Sequence, residues 1–159
     1  MTGLNLHYIP TAVFSALVCT LIRRFLAPRC RPHSFSEKKN STYELNLFDA
    51  YVVCWSHATF TGVGSFLALR NNPSLEQDLY GKTDEFGCYI VAISMGYFIY
   101  DQLNMLTYKN WNTPGVKWFT VHHLCVILVF GHTAVTQRAV GLCMIALKME
   151  INSIFLHAR

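Results

Sequence analysis

The chain has 159 residues, of which 52% are hydrophobic and only 14% are charged, and its mean hydropathy is +0.27. This composition excludes an ordinary soluble domain, in which about a quarter of the residues carry charge. The formal net charge is +4, but the basic residues share no basic and aromatic face, so nucleic acid is not expected as a partner. The sequence therefore predicts a membrane protein.

Charged residues are concentrated in three connecting stretches. The apolar blocks between them have about the ~20 residues that an α-helix needs to cross a bilayer. We predict an all-α, multi-pass transmembrane helix bundle with about five spans. The spans are predicted at residues 4–27, 47–69, 86–107, 118–136 and 139–157.

The first span is followed by a basic loop, and residues 1–44 are predicted to contain this helix and this loop. The positive-inside rule places the loop in the cytosol and the N-terminus in the lumen or outside the cell. The protein is expected in the plasma membrane or the endoplasmic reticulum. Asn40 matches the glycosylation acceptor pattern, but it is expected to stay unmodified in the cytosol. The basic residues are Arg23, Arg24, Arg29, Arg31, Lys38 and Lys39.

Two further groups of residues are interpreted as packing features. The second span carries small and polar residues on overlapping faces, which is typical of sites where helices approach closely. The six cysteines include no Cys-x-x-Cys pair, so we interpret them as small apolar residues and predict no disulfide framework and no metal site. The residues of the second span are His57, Thr61, Gly64 and Ser65.

The third span contains Tyr97, Asp101, Asn104 and Tyr108, which are spaced by four, three and four residues and therefore share one face of a helix. An Asp at the centre of a membrane helix costs about 2.5–3.5 kcal/mol on insertion scales, so this face must point into the bundle. Asp101 then acts either as a structural clamp between helices or as a catalytic group.

The fourth span contains the adjacent residues His122 and His123. Neighbouring residues point about 100° apart on an α-helix, so the pair cannot bind a metal from one face. One histidine is expected to face the bundle interior while the other contacts a neighbouring helix. A buried imidazole there serves either as a general base or as an interhelical hydrogen-bonding group.

The fifth span has two polar edges. Glu150, Ser153 and His157 form one stripe, and Lys148 and Asn152 lie on another side. A helix with two polar edges is expected to be embedded among other helices rather than in lipid. The first stripe suits proton transfer in a dry cavity and equally suits a static lock.

The order of these features resembles the TLC domain, named for the TRAM, Lag1 and CLN8 proteins, over roughly residues 45–159. The resemblance rests on Gly96–Asp101, on Val121–His123 and on the stretch that begins at Glu150. It is strongest to the small TLC domain-containing proteins 1 and 2 and more distant to ceramide synthases. It implies that the chain limits polyunsaturated acyl chains in membrane phospholipids and so sets membrane fluidity.

The resemblance also implies a site. Aligned without a gap to the ceramide synthase motif, Glu150 takes the place of the first Asp, whereas Asn152 replaces the Ser and Ser153 replaces the second Asp of that motif. The functional, catalytic cluster is predicted to consist of His122, His123, Glu150 and Asp101. The residues expected to line a lipid cavity are Tyr97, Asn104, Asn152, Ser153 and His157.

Three functions are compatible with this site. The first is regulation of membrane phospholipid composition, with membrane lipids as partners. The second is an acyl-CoA-dependent acyltransferase of the ceramide-synthase type, which takes acyl-CoA as a substrate and needs no cofactor, and the third is a lipid or cargo transport factor. TLC domains usually continue through further helices after the acidic segment, so a partner helix or a second copy of the chain is expected to complete the bundle.

Overall fold

The computed structural model describes residues 6–32, 41–108 and 114–157, and from residue 114 onward it describes side chains only for 115–155. Every regular element within these ranges is a helix, which confirms the predicted all-α class. The acceptor residue Asn40 and the side chain of His157 lie outside the described part.

Four long helical stretches form the bundle. α1 (Ile9–Leu21) continues through a π-helical segment (Ile22–Leu26) into α2 (Ala27–Cys30). The other elements are α3 (Thr42–Asn71), α4 (Ser74–Gln77), α5 (Glu85–Tyr108), α6 (Pro114–Thr136), α7 (Val140–Lys148) and α8 (Glu150–His157).

Three of these stretches are long and apolar enough to cross a membrane: Ile9–Cys30, Thr42–Asn71 and Gly115–Thr136. They correspond to the first, second and fourth predicted spans. α5, the predicted third span, has 24 residues and lies at the centre, where it packs against α1, α3 and α6. The protein is therefore a membrane protein built as a helical bundle.

The predicted fifth span differs from the expectation of one continuous helix. α7 ends at Lys148, Met149 forms a turn, and α8 begins at Glu150. The backbone N–H of Met149 bonds the carbonyl of Ala146, three residues back, which is the tighter 3₁₀ spacing. The turn separates α7, which packs on α3, α5 and α4, from α8, which packs on α3. Hydrophobic periodicity gives no sign of this turn.

α3 begins five residues before the predicted span because a capping box defines its start. The backbone N–H of Glu44 donates to the Ser41 hydroxyl at 3.3 Å, and the Ser41 N–H donates to the Glu44 carboxylate at 2.8 Å. These bonds satisfy backbone donors that a helix start leaves open. The helix therefore extends past the apolar block into a polar flank.

α1 and α5 make a close backbone contact in the bundle. A Cβ atom at Gly96 would overlap the backbone carbonyl of Ala12, and the Ser15 hydroxyl donates to the carbonyl of Ile93 at 2.7 Å. Nearer the C-terminal ends of these helices, a cleft of about 660 Å³ opens between them. We call the side of the bundle that holds α2, the start of α3 and the end of α5 the basic end, because the arginines at positions 23, 24, 29 and 31 lie there.

Candidate functional site

The polar face of α5 meets α3 at His57. Nε2 of His57 lies 3.0 Å from the Ser94 hydroxyl, and the ring stacks on Tyr97 with centroids 3.8 Å apart. The Thr61 hydroxyl donates to the His57 carbonyl at 2.9 Å. All four side chains are buried, so this is a polar contact within the hydrophobic part of the bundle.

One turn further along α5, Asp101 meets α6. Its Oδ2 lies 3.7 Å from Nδ1 of His123, which is close enough for an ion pair when the imidazole is protonated but longer than a hydrogen bond. His123 is buried and His122 is exposed, so the two histidines point to different surroundings, as their 100° separation predicts. Phe98 contacts both rings edge-on, at 5.2 Å from His123 and 6.3 Å from His122.

The end of this face contacts Arg23 in the π-helical segment. Nη1 of Arg23 donates to the Asn104 side-chain oxygen at 2.5 Å, and Nη2 donates to Asn46 at 3.3 Å. The guanidinium carbon lies 4.5 Å from the centroid of the Tyr108 ring, which is a cation–π distance. The four residues predicted to share one face of α5 thus make polar or ring contacts with α1, α3 and α6.

Glu150 lies near the contact between α8 and α3. It is half-buried in the first turn of α8, where the backbone of Ile151 comes close to Gly62 of α3. The structure thus brings Asp101 and His123 together, whereas Glu150 lies on α8, which packs on α3 and α7.

The other polar residues of the fifth predicted span have diverse surroundings. Ser153 is half-buried and Asn152 is exposed. Nζ of Lys148 lies 4.0 Å from Glu76 of α4, and both side chains are about half exposed. Lys148 thus finds its partner in the connection that follows α3 rather than in the bundle interior.

An apolar cleft of about 380 Å³ lies between α1 and α3, and we call it the α1–α3 cleft. Its polar groups come from Thr11, Ser15, Ser56, His57 and Thr61. Aromatic and aliphatic side chains form most of its wall, among them Phe14, Val18, Ile22, Val53, Phe60 and Ile93. Among the side chains that the structure describes, no group of three or more His, Cys, Asp or Glu residues is placed to bind a metal ion.

Two residues make contacts that the sequence does not predict. His57 is predicted only to pack between helices, although an ionisable side chain inside a span is the same signal that singles out His123. Arg23 is predicted only to set the topology, whereas it donates to Asn104 of α5. The π-helical segment that carries Arg23 ends two residues before Pro28, which has no N–H for a regular α-helical bond and whose ring clashes with the carbonyl four residues earlier.

The comparisons with known proteins agree on one family. The family model of the TLC domain matches residues 47–159 of the chain. TLC domain-containing protein 2 of Danio rerio is 40% identical over 103 residues, covering 65% of this chain and 41% of that protein. The mouse (Mus musculus) protein of the same name is 34% identical over 105 residues, with 65% and 33% covered.

TLC domain-containing protein 1 of Gallus gallus is 29% identical over 108 residues, covering 68% of this chain and 42% of that protein. The matched region is less than half the length of each of these relatives. No solved structure matches the chain.

Proposed function

The chain belongs to the TLC domain family, and on this basis we propose that it regulates the acyl composition of membrane phospholipids and thereby membrane fluidity. Its partners are membrane lipids. It acts in the plasma membrane or the endoplasmic reticulum, with the N-terminus in the lumen or outside the cell and the basic end in the cytosol.

The α1–α3 cleft carries this proposal. Its volume of about 380 Å³ falls in the range of ligand pockets, ~300–1,000 Å³. Apolar walls suit an acyl chain, and Phe14 and Phe60 at its edge are exposed, so a lipid can enter sideways from the bilayer. His57 and Thr61 offer hydrogen-bonding groups to a polar atom of the lipid.

Filling the cleft tests the proposal. Val18 lines it and is half-buried, so Val18→Trp occupies the space, whereas Val13→Trp places the same ring on an exposed position of the same helix outside the cleft. Cells that lack the protein are complemented with each variant, and phospholipid acyl chains are measured by mass spectrometry. We expect wild type and Val13→Trp to restore the profile and Val18→Trp to fail. Equal restoration by all three, or by none, contradicts the proposal.

The contact between Asp101 and His123 supports a second candidate, an acyl-CoA-dependent acyltransferase. In that reaction His123 removes a proton from an amine or hydroxyl of the acceptor, which attacks the thioester carbonyl. The new amide or ester bond forms, the C–S bond breaks, and CoA leaves as a thiol after accepting the proton. Asp101 orients the imidazole and stabilises its protonated form.

Purified protein distinguishes this candidate from a non-catalytic regulator. Acyl-CoA is supplied with lipid acceptors, and release of free thiol is followed together with the acylated product. We expect His123→Ala to abolish turnover and Asp101→Asn to reduce it at least ~100-fold, in the range typical of general base catalysis. His132→Ala, an exposed histidine of the same helix, is the control. Absence of thiol release by wild type counts against catalysis.

A further inference from the structure

We propose that the cleft between α1 and α5 binds the phosphate of an anionic phospholipid at the basic end, with Arg23 and Arg24 as its contacts. We call this the α1–α5 cleft, and its volume is about 660 Å³. The inference rests on the proposed function, because it names a lipid that the regulator would hold. It concerns a different cavity and different residues from the α1–α3 cleft.

The shape of the α1–α5 cleft follows from the packing of its two helices. Gly96 allows α1 and α5 to touch near the middle of α5, and the helices separate toward the basic end. Ala16, Leu17 and Leu103 form apolar walls in the part nearer the contact, and the two arginines lie at the basic end. A cavity with apolar walls and a cationic end matches a lipid, which has chains on one side and a phosphate on the other.

Arg23 makes its described side-chain contacts with neutral groups. Its described partners are the neutral side chains of Asn104 and Asn46 and the ring of Tyr108. These contacts use two of the five guanidinium N–H donors and hold the group half-buried in place. A fixed guanidinium with free donors is well suited to bind a phosphate.

One carboxylate, Asp49, also lines the cleft, but its charge is already neutralised. Arg31 donates to both of its carboxylate oxygens, from Nε at 3.0 Å and from Nη2 at 2.6 Å. Arg24 adds a second positive charge at the rim, where it is exposed. The cleft therefore keeps a net positive charge that favours an anionic headgroup over a zwitterionic one.

Tyr100 adds a polar group to the same part of the cleft. It lines the cleft and is only 7% exposed, and its hydroxyl lies beside Arg23 and Asn104. A phosphate or ester oxygen of a lipid bound beside Arg23 would therefore also lie within reach of a hydroxyl donor.

Native mass spectrometry of the purified full chain tests the proposal. Phosphatidic acid, phosphatidylcholine and diacylglycerol with the same acyl chains are added separately, which varies only the headgroup. We expect phosphatidic acid to bind most tightly and diacylglycerol least. Arg24→Gln is expected to weaken phosphatidic acid binding about fivefold, and Arg23→Gln with Arg24→Gln more than about tenfold. Arg29→Gln, at the same end but outside the cleft, should bind as wild type does.

A second pair of variants keeps the test independent of the folding role of Arg23. Leu17→Trp fills the cleft without changing charge, and Leu21→Trp places the same ring on an exposed position of α1 outside it. Only Leu17→Trp should reduce binding. The proposal is overturned if diacylglycerol binds as tightly as phosphatidic acid, if Arg24→Gln binds normally, or if inorganic phosphate or acyl-CoA displaces the lipid at equal concentration. The acyl-chain profile that tests the proposed function does not enter this measurement.

Discussion

The imidazole of His57 on α3 lies parallel to the ring of Tyr97 on α5, with centroids 3.8 Å apart and planes 12° apart. The next residue, Phe98, meets His57 edge-on at 5.7 Å and His123 of α6 edge-on at 5.2 Å. Consecutive aromatic residues of α5 thus connect histidines of two other helices. The polar centre is therefore a cluster of three helices built around α5, and the histidine doublet is one part of it.

His57→Ala should destabilise the bundle. The substitution removes the ring that stacks on Tyr97 and leaves the Ser94 hydroxyl without its partner on α3, so we expect a loss of about 2 kcal/mol in the free energy of unfolding. His57→Phe keeps a stacked ring and should lose about 1 kcal/mol. Unfolding in bicelles measures both, and His132→Ala on an exposed surface should change stability little. Identical stability of His57→Ala and wild type would contradict this account.

Gly96→Ala tests the backbone contact between α1 and α5. The added methyl group would overlap the carbonyl oxygen of Ala12, so α1 must move away, and we expect a loss of about 3 kcal/mol or more. Gly131→Ala is a matched control, because its methyl group meets only the Met95 sulfur at 3.7 Å, an ordinary contact. That control should be neutral or stabilising by up to about 1 kcal/mol, since Ala favours helices. Thermal unfolding in detergent compares the two variants.

Much of this arrangement could be predicted from the sequence, where a strong local signal exists. Long apolar blocks predict the long helices, and the spacing of Tyr97, Asp101 and Asn104 predicts the inward face of α5. That the two adjacent histidines point to different surroundings follows from helix geometry alone. These features depend on residues close together in the chain, so periodicity detects them.

The rest depends on contacts between distant parts of the chain. The turn at Met149 divides the predicted fifth span into α7 and α8, and no residue in the apolar run from 139 to 147 indicates it. The meeting of Arg23 with Asn104 requires the π-helical segment before Pro28 and a close approach of α1 to α5. Neither the spacing of residues within one helix nor composition encodes which helices become neighbours.

The ion pair between Arg31 and Asp49 should contribute more than an exposed pair. Both side chains are mostly buried, so Asp49→Ala leaves a guanidinium without its main acceptor, and we expect a loss of about 2 kcal/mol. A double-mutant cycle with Arg31→Ala should give a coupling energy of about 1–2 kcal/mol. The same cycle on Glu76 and Lys148, which are about half exposed, should give less than about 0.5 kcal/mol. Equal coupling energies in the two cycles would contradict the prediction that the buried ion pair contributes more than the exposed one.

The two adjacent histidines should differ in their effect on stability. His123 is buried against Asp101 and Phe98, so His123→Ala is expected to cost about 2 kcal/mol in unfolding free energy. His122 is exposed, and His122→Ala should change stability by less than about 0.5 kcal/mol. Unfolding of the two variants under the same conditions measures the difference. A larger loss of stability in His122→Ala than in His123→Ala would mean that α6 is rotated relative to this structure.

Cys30 provides a direct test of orientation. It is a free, exposed thiol at the basic end, whereas Cys125, the other exposed cysteine of the described part, lies within the membrane-spanning stretch of α6. Because maleimides react with the thiolate in water, an impermeant maleimide should label Cys30 alone.

The positive-inside rule predicts no labelling of Cys30 in intact cells and labelling once digitonin opens the plasma membrane. Cys30→Ser should abolish the signal. In that background Lys82→Cys, at the opposite end, should react already in intact cells if the protein lies in the plasma membrane. In the endoplasmic reticulum, Lys82→Cys should react only after the internal membrane is opened as well. Labelling of Cys30 in intact cells would reverse the orientation, and the α1–α5 cleft would then face the outer or lumenal leaflet.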